Sequence, residues 1–352
     1  MKLDQKCSID SYCKDIYRKF IDALERDKEK YAPEWITSWN LIDKQFKKNM
    51  PNPEGAPQDF SEYNGPEDLI KWFIFQGNED KPNSYPDELL SPLIDMIRSY
   101  DEKIFKQYNL SYNFENYSKS KGLYDAQDYM FQNLYPVPER YRIKRILDFG
   151  AGHGRQANIW MQKHEDITYV GMDAIPLSYC LQHFYYNHMS CSFYDYVISP
   201  EKITHPFGKG IYHIPTWRAD LLPDSFFDMV ICVHVLQELN SKLVNHMIKV
   251  FKRILKPGGA IYIQDAEHWR SRHQLNIEKI LLKSGFVLEF KPHIKIGEDF
   301  HGIPRIWRKI DPANSTIEPP WHLRLAYKLL HSKLCPEIIR RTLKTIKHRH
   351  AK

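Results

Sequence analysis

Long apolar runs are missing from this 352-residue chain: no stretch of some 18 consecutive apolar residues occurs, which excludes an ordinary membrane-spanning helix. The opening Met1-Lys2-Leu3-Asp4-Gln5-Lys6 lacks the apolar centre of a secretory signal, so the expected setting is the cytoplasm. Cysteine is sparse and scattered. The six (Cys7, Cys13, Cys180, Cys191, Cys232 and Cys335) form no C-x-x-C pair, which argues against a disulfide framework or a structural zinc and suits buried thiols in a reducing compartment. Also absent is any Asn/Asp-Pro-Pro-Tyr/Phe tetrapeptide, a pattern that would point to amide or nucleobase nitrogens as reacting groups.

Apolar residues make up 42% and aromatics 14%, enough to bury a large core. A net charge of +6 conceals an asymmetry: residues 1–130 hold 18 basic against 24 acidic side chains, whereas residues 321–352 hold 9 against 1. Three pieces follow. Residues 1–130 read as a mainly helical, acidic N-terminal cap, with helical spacing at Ile16, Phe20 and Leu24, then over Pro66–Gln76 and Asp87–Tyr108. Residues 131–310 alternate strand and helix in the manner of a doubly wound sheet. Residues 311–352 form a basic tail in which Leu323, Leu325, Leu329, Leu330, Leu334, Ile338, Ile339, Leu343 and Ile346 recur at about a helical turn. Such an amphipathic helix can lie on an anionic membrane, bind RNA phosphates or dock on the acidic cap.

The chemistry is concentrated in the middle piece. Ile146-Leu147-Asp148-Phe149-Gly150-Ala151-Gly152-His153-Gly154-Arg155 is an apolar strand ending in an acid, a turn with glycine at alternate positions, and a helix start. Glycine permits backbone to approach a ligand closely. Tyr169-Val170-Gly171-Met172-Asp173 repeats the strand-then-acid theme 19 residues after Gly154, where a carboxylate reaches a ribose diol. A nicotinamide or flavin dinucleotide would fit up to this point. The glycines, however, run G-x-G-x-G and not G-x-G-x-x-G. Downstream come Trp217-Arg218-Ala219-Asp220, then the apolar strand Phe227–Cys232, then Val233-His234-Val235, and finally Leu255-Lys256-Pro257-Gly258-Gly259 ahead of the strand Ala260–Gln264.

These four ordered motifs resemble the class I S-adenosylmethionine-dependent methyltransferases over roughly residues 140–310. The resemblance implies an α/β, doubly wound, Rossmann-like sheet of seven strands with an antiparallel last strand. It implies S-adenosylmethionine as cofactor, with Gly150, Gly152 and Gly154 under its methionine and ribose parts. Asp148 would hold the loop and the cofactor's amino group, and Asp173 the ribose hydroxyls. Asp220 would take the adenine amino group with the backbone of Ala219 nearby, and Cys232 or Val233 would line the carboxypropyl tail. For the transfer step, a general base is expected at the carboxyl ends of the strands, with His268 in Gln264–Trp269 as first candidate, His234 as second and His153 turned toward cofactor or backbone. No metal is expected, although Asp265 and Glu267 leave a divalent cation as an alternative.

The insertion 188–213 carries Phe193, Tyr194, Tyr196, Phe207 and Tyr212, which can stack on a sugar-like acceptor or simply pack the loop. The combined expectation is O-methylation of a sugar or other small-molecule hydroxyl. The alternatives are N-methylation of a metabolite or RNA, and a non-catalytic cofactor-binding partner subunit. Nucleic acid is not the expected partner, peripheral membrane contact through the tail is a further possibility, and oligomeric state is not readable.

Overall fold

The computed structural model describes residues 9–31, 87–107, 123–134, 143–189, 191–237, 239–265, 276–291 and 303–310. The expected helix over Pro66–Gln76, the candidate base His268 and the basic tail lie outside them.

Helices α1 (Ile9–Tyr31), α2 (Asp87–Gln107) and α3 (Leu123–Leu134) precede the first strand. The alternation then runs β1 (Arg145–Phe149), α4 (Arg155–Lys163), β2 (Thr168–Asp173), α5 (Pro176–Asn187), β3 (Phe193–Asp195), β4 (Gly210–Pro215), β5 (Phe227–Val233), α6 (Ser241–Ile254), β6 (Leu255–Asp265), α7 (Ile277–Lys283), β7 (Phe286–Phe290) and β8 (Ile303–Lys309). The strands form one sheet in the order β3-β4-β2-β1-β5-β6-β8-β7. All neighbours pair in parallel except β8, which is antiparallel to both β6 and β7. This is the doubly wound Rossmann-like arrangement with an antiparallel last strand. It has eight strands where seven were expected, because Phe193–Asp195 in the long insertion pairs with Ile211–His213 and adds a short edge strand.

Strands covered on both faces must be apolar throughout. Accordingly, β2 and β4 are buried at every residue, and β1 from Ile146 onward. The covering helices supply the complementary stripe. In α6, Leu243, Val244, Met247, Ile248, Phe251 and Ile254 recur at three- and four-residue spacing and are buried. Asn240 begins this helix, its side chain accepting from Leu243 N–H at 3.0 Å. Asp228 fixes the start of β1 by accepting from both Lys144 N–H and Arg145 N–H at 2.9 Å.

The three leading helices belong to the same compact unit as the sheet. Phe20 of α1 packs edge-on to Trp217 and against Tyr179 of α5, at centroid distances of 5.0 and 4.8 Å. Asp27 of α1 is buried and accepts from Tyr196 Oη at 2.9 Å and Trp217 Nε1 at 3.1 Å. Asp101 of α2 forms an ion pair with Arg155, the first residue of α4, and both side chains are 1% exposed. Trp160 Nε1 of α4 donates to Gln132 of α3 at 2.9 Å. These helices therefore brace the elements on either side of the glycine loop.

The aromatics of the insertion pack this edge of the sheet. Tyr196, Phe207 and Tyr212 are buried, Tyr212 stacks between Tyr194 and Phe207 at 4.9 and 4.5 Å, and Phe193 sits half-buried beside His183 of α5. Of the two readings of these side chains, stacking on an acceptor or packing the loop, the contacts among Tyr194, Phe207 and Tyr212 support packing for those three.

Candidate active site

Ligands of open α/β sheets bind beyond the carboxyl ends of the strands, at the point where strand order reverses. Here the order reverses between β1 and β5, with β2 on the far side of β1, and the glycine loop follows β1 at that point. Gly150, Gly152 and Gly154 all adopt left-handed φ, at 75°, 57° and 80°, which a side chain would strain. Gly150 N–H and Ala151 N–H both bond to Met172 O at the end of β2, so the loop folds back across the neighbouring strand.

The three glycines are not equivalent. A Cβ at Gly150 would collide with Val235, and one at Gly154 would lie 2.7 Å from the Tyr186 ring. At Gly152 nothing lies within 4 Å. Gly152 is thus the member of the expected floor whose open side faces space a ligand can use, while the other two admit neighbouring side chains.

Asp148 closes β1, 3% exposed, and accepts from Tyr169 Oη at 2.5 Å. Burial pushes its carboxyl up to about 7; the Tyr169 hydroxyl opposes the shift, and the acids Asp125 and Asp173 add to it. Asp173 closes β2, 5% exposed, accepting from Ile175 N–H at 2.9 Å and from Gln182 Nε2 at 2.8 Å. Burial raises it to about 6 against those hydrogen bonds. The two predicted acids therefore stand side by side on β1 and β2, both reluctant to ionise.

Two more acids join them that sequence reasoning did not single out. Asp125 and Asp128, one turn apart on α3, face this end of the sheet. Asp128 accepts from Tyr262 Oη of β6 at 2.5 Å, and with its amide nitrogen turned inward Gln264 donates to it as well. Burial lifts Asp128 well above the carboxylate range and Asp125 to about 6, the latter despite the opposing charge of Arg155. Their signal was the i, i+3 pair of acids in Leu123–Leu134 among residues that are otherwise largely apolar or aromatic, a helix-face pattern with no motif spacing behind it.

Elsewhere the expected roles meet obstacles. Asp220 lies in a short 3-10 stretch (Thr216–Leu221), and Arg218 grips its carboxylate at both oxygens, Nε at 2.9 Å and Nη2 at 3.0 Å. To accept from an adenine amino group it would have to share oxygens already committed to a bidentate pair. The Ala219 carbonyl accepts from Arg253 Nη2 at 2.8 Å. Cys232 is fully buried within β5 and Val233 is half-buried, so of the two residues expected along the carboxypropyl tail Val233 is the more accessible.

His234 follows β5 with φ +56°, uncommon for a residue with a side chain, and its N–H bonds to Gln264 O at 2.8 Å. Burial lowers its ring to about 4. It is neutral at neutral pH but weakly basic, which counts against it as the base. His153 is half-buried in the glycine loop.

Residues 121–293 match a family model described as a methyltransferase domain. The match spans the glycine loop, both acids beside it and every parallel strand, and the strand order is that of class I enzymes. The chain therefore carries a class I methyltransferase domain, whose methyl donor is S-adenosylmethionine. No curated protein sequence matches it.

Among solved structures it is similar to a S-adenosylmethionine-dependent methyltransferase from Methanosarcina mazei, at 17% identity over 50% of this chain and 98% of that one, with a TM-score of 0.37. It is similar also to magnesium protoporphyrin IX methyltransferase from Synechocystis, at 14% identity, 65% and 100% coverage and a TM-score of 0.39. A third is an arsenic(III) methyltransferase from Chlamydomonas reinhardtii, at 18% identity, 52% and 74% coverage and a TM-score of 0.33. With TM-scores below 0.5, none of the three bears on the acceptor.

The site's own residues fit a cationic donor. Burial is the main cause of the raised Asp148 pKa, and the acids Asp125 and Asp173 add to it, so a positive ligand would oppose both.

Proposed function

We propose that this methyltransferase domain O-methylates a hydroxyl of a sugar or another small molecule. The observation that carries the choice of acceptor is the tetrapeptide at the end of β5. Cys232-Val233-His234-Val235 stands where enzymes acting on amide or nucleobase nitrogens would carry Asn/Asp-Pro-Pro-Tyr/Phe. Bound S-adenosylmethionine supplies a sulfonium methyl group, which passes to the acceptor oxygen by in-line displacement.

The chain's own contribution is placement and proton removal. Asp173 takes the ribose hydroxyls, Gly152 leaves the cofactor its room, and Asp148 with Asp125 provides negative charge near the positive donor. Fixing donor and acceptor in line is the larger part of the acceleration. A hydroxyl acceptor also loses its proton as the new bond forms, and a positioned base contributes about 10²–10⁴-fold. His268 takes this role ahead of His234, whose ring is lowered by burial to about 4.

The test is transfer of labelled methyl from S-adenosylmethionine into a fractionated lysate, separating lipid-linked glycan, soluble metabolite, RNA and protein. Label in glycan or metabolite, lost in His268→Ala, supports the reading. Label confined to RNA or protein, or activity that survives both His268→Ala and His234→Ala, sinks it in favour of N-methylation. Tight cofactor binding with no turnover, together with stable co-purification of a second protein, would point instead to a non-catalytic subunit.

A further inference from the structure

The sheet edge beside the site holds a buried polar chain that no motif announced. On α5, Tyr179, Gln182, His183 and Tyr186 recur at three- and four-residue spacing and share the face turned to the sheet, all of them buried. Beneath them, Asp195 of β3 and His213 of β4 stand opposite each other in register. Asp195 Oδ2 lies 2.7 Å from His213 Nδ1 and 2.7 Å from His183 Nδ1. Its Oδ1 accepts from Tyr179 Oη at 3.0 Å and from Val197 N–H at 2.8 Å. His213, with no exposed surface, stacks on the Tyr179 ring at 3.6 Å, and its Nε2 lies 3.0 Å from Gln182 Oε1. Gln182 Nε2 in turn donates to Asp173 Oδ2 at 2.8 Å and to Gly152 O at 3.0 Å.

We propose that Gln182 is the positioning residue for the ribose-binding carboxylate of Asp173, and that the buried Asp195–His213 pair locks its amide in the orientation this requires. The inference rests on the methyltransferase reading, which gives Asp173 its ligand.

Proton bookkeeping carries the argument. The Gln182 amide nitrogen faces two acceptors, a backbone carbonyl and a carboxylate, so the amide oxygen is the atom turned to His213. An oxygen cannot donate, so His213 Nε2 carries a proton. His213 Nδ1 faces the Asp195 carboxylate, which already accepts from Tyr179 Oη and Val197 N–H, so a proton lies in that contact as well. His213 Nε2 therefore carries one proton and the Nδ1–Asp195 contact holds another. Burial, the larger influence, lowers the His213 pKa below its usual value, against the adjacent carboxylate and its hydrogen bond, which raise it. Asp195 itself is held well below the usual range by His183 and His213, in spite of its burial. The other groups facing His213 are His183, Tyr179, Tyr186 and Phe193, of which His183 alone could add a positive charge.

Were His213 to lose the Nε2 proton, the amide would turn to donate to it. Gln182 Oε1 would then face the Asp173 carboxylate and Gly152 O, opposing the ionised form that binds a diol. The device thus ties the readiness of the ribose site to a proton stored one layer deeper. The 2.7 Å contacts are hydrogen-bond lengths, and both histidines share a single carboxylate oxygen, which favours protons over a metal ion between them.

The test uses the full chain and two readouts. Affinity for S-adenosylmethionine and for its analogue lacking the ribose 2′-hydroxyl is measured by calorimetry in wild type and Gln182→Leu. Loss of one charge-assisted hydrogen bond to Asp173 should weaken S-adenosylmethionine roughly tenfold and the deoxy analogue less than about twofold. Equal weakening of both, or none, overturns the proposal. A wild type that binds neither ligand would instead overturn the methyltransferase reading beneath it.

Independently of how any variant folds, ¹⁵N spectra of histidine-labelled wild-type protein should show Nε2 of one buried ring protonated at pH 7, assigned through His213→Gln. An unprotonated Nε2 on that ring at pH 7, or a stoichiometric bound metal lost on Asp195→Asn, would equally overturn it.

Discussion

Asp148 and Asp195 are the same residue type, buried to the same depth in one sheet, yet burial and neighbours drive them in opposite directions. Asp195 lies on the edge strand between two histidines and stays ionised far below the normal carboxylate range. Asp148 lies at the sheet's centre, faces Asp125 and Asp173, and is pushed up to about 7. A buried carboxylate is tolerated either because the protein supplies its partner or because it holds a proton until a partner arrives. The edge acid is of the first kind and the central acids are of the second. Buried carboxylates such as Asp148 and Asp173, held by neutral donors and not by cations, at the ligand-binding end of a sheet mark where a cation belongs.

The sharpest way to break the comparison is to remove the acid that is already satisfied. Asp195→Ala leaves two buried histidines and the Tyr179 hydroxyl without their common acceptor, and should cost about 3–5 kcal/mol in urea unfolding. A loss below about 1 kcal/mol would show the edge network to be dispensable and the contrast with Asp148 to be false. The next largest effect is on binding. Asp173→Ala should weaken S-adenosylmethionine by about 1–3 kcal/mol, the worth of hydrogen bonds from two hydroxyls to a carboxylate. Unchanged affinity would remove Asp173 from the ribose site.

What the sequence disclosed follows the same division. Asp148, Asp173 and the glycines were legible because backbone contact with a ligand imposes fixed spacing on a short stretch of chain. The strand order and the antiparallel β8 came with that resemblance. Asp125 and Asp128 were not legible, because their place beside β1 depends on how α3 docks, through Gln132 to Trp160 and Asp128 to Tyr262. Nor was the chain from Asp195 to Gln182, assembled from a three-residue strand, its neighbour β4 and one helix face. The aromatics of residues 188–213 left two readings open for a related reason: composition shows that a loop is rich in rings but not which rings pair with each other. Asp220 was placed by motif, and Arg218 two residues earlier takes its oxygens.

A subtler contrast lies in stability without ligand. A carboxyl whose folded pKa is raised contributes stability below its unfolded value near 4, and loses that contribution as pH climbs to about 7. At pH 8 Asp148 is therefore a net cost to the unliganded fold. Asp148→Asn keeps an oxygen for the Tyr169 hydroxyl and should raise the unfolding free energy at pH 8 by about 1 kcal/mol, while weakening the cofactor. Chemical denaturation with and without S-adenosylmethionine separates the two effects. If the variant were less stable without ligand, the carboxylate would already have a partner in the free protein, and the distinction from Asp195 would fail.

The smallest effect requires no mutation. A cation bound beside Asp148 and Asp173 favours their ionised forms, so both carboxyls titrate lower in the complex than in the free protein, where they sit at about 7 and about 6. Binding then expels protons below pH 7 and the complex gains with rising pH. Affinity for S-adenosylmethionine should climb through pH 6 to 7, by up to about tenfold for one carboxylate that must ionise, and level off near pH 8. S-adenosylhomocysteine keeps the ribose and the ammonium group but lacks the sulfonium charge, so its profile should be shallower. Calorimetry in two buffers of different ionisation enthalpy reads the released protons directly. Identical, flat profiles for the two ligands would mean that the central acids do not face the sulfonium. Their raised pKa values would then reflect burial alone, and Asp148 would be a brace for the glycine loop, held in place by Tyr169.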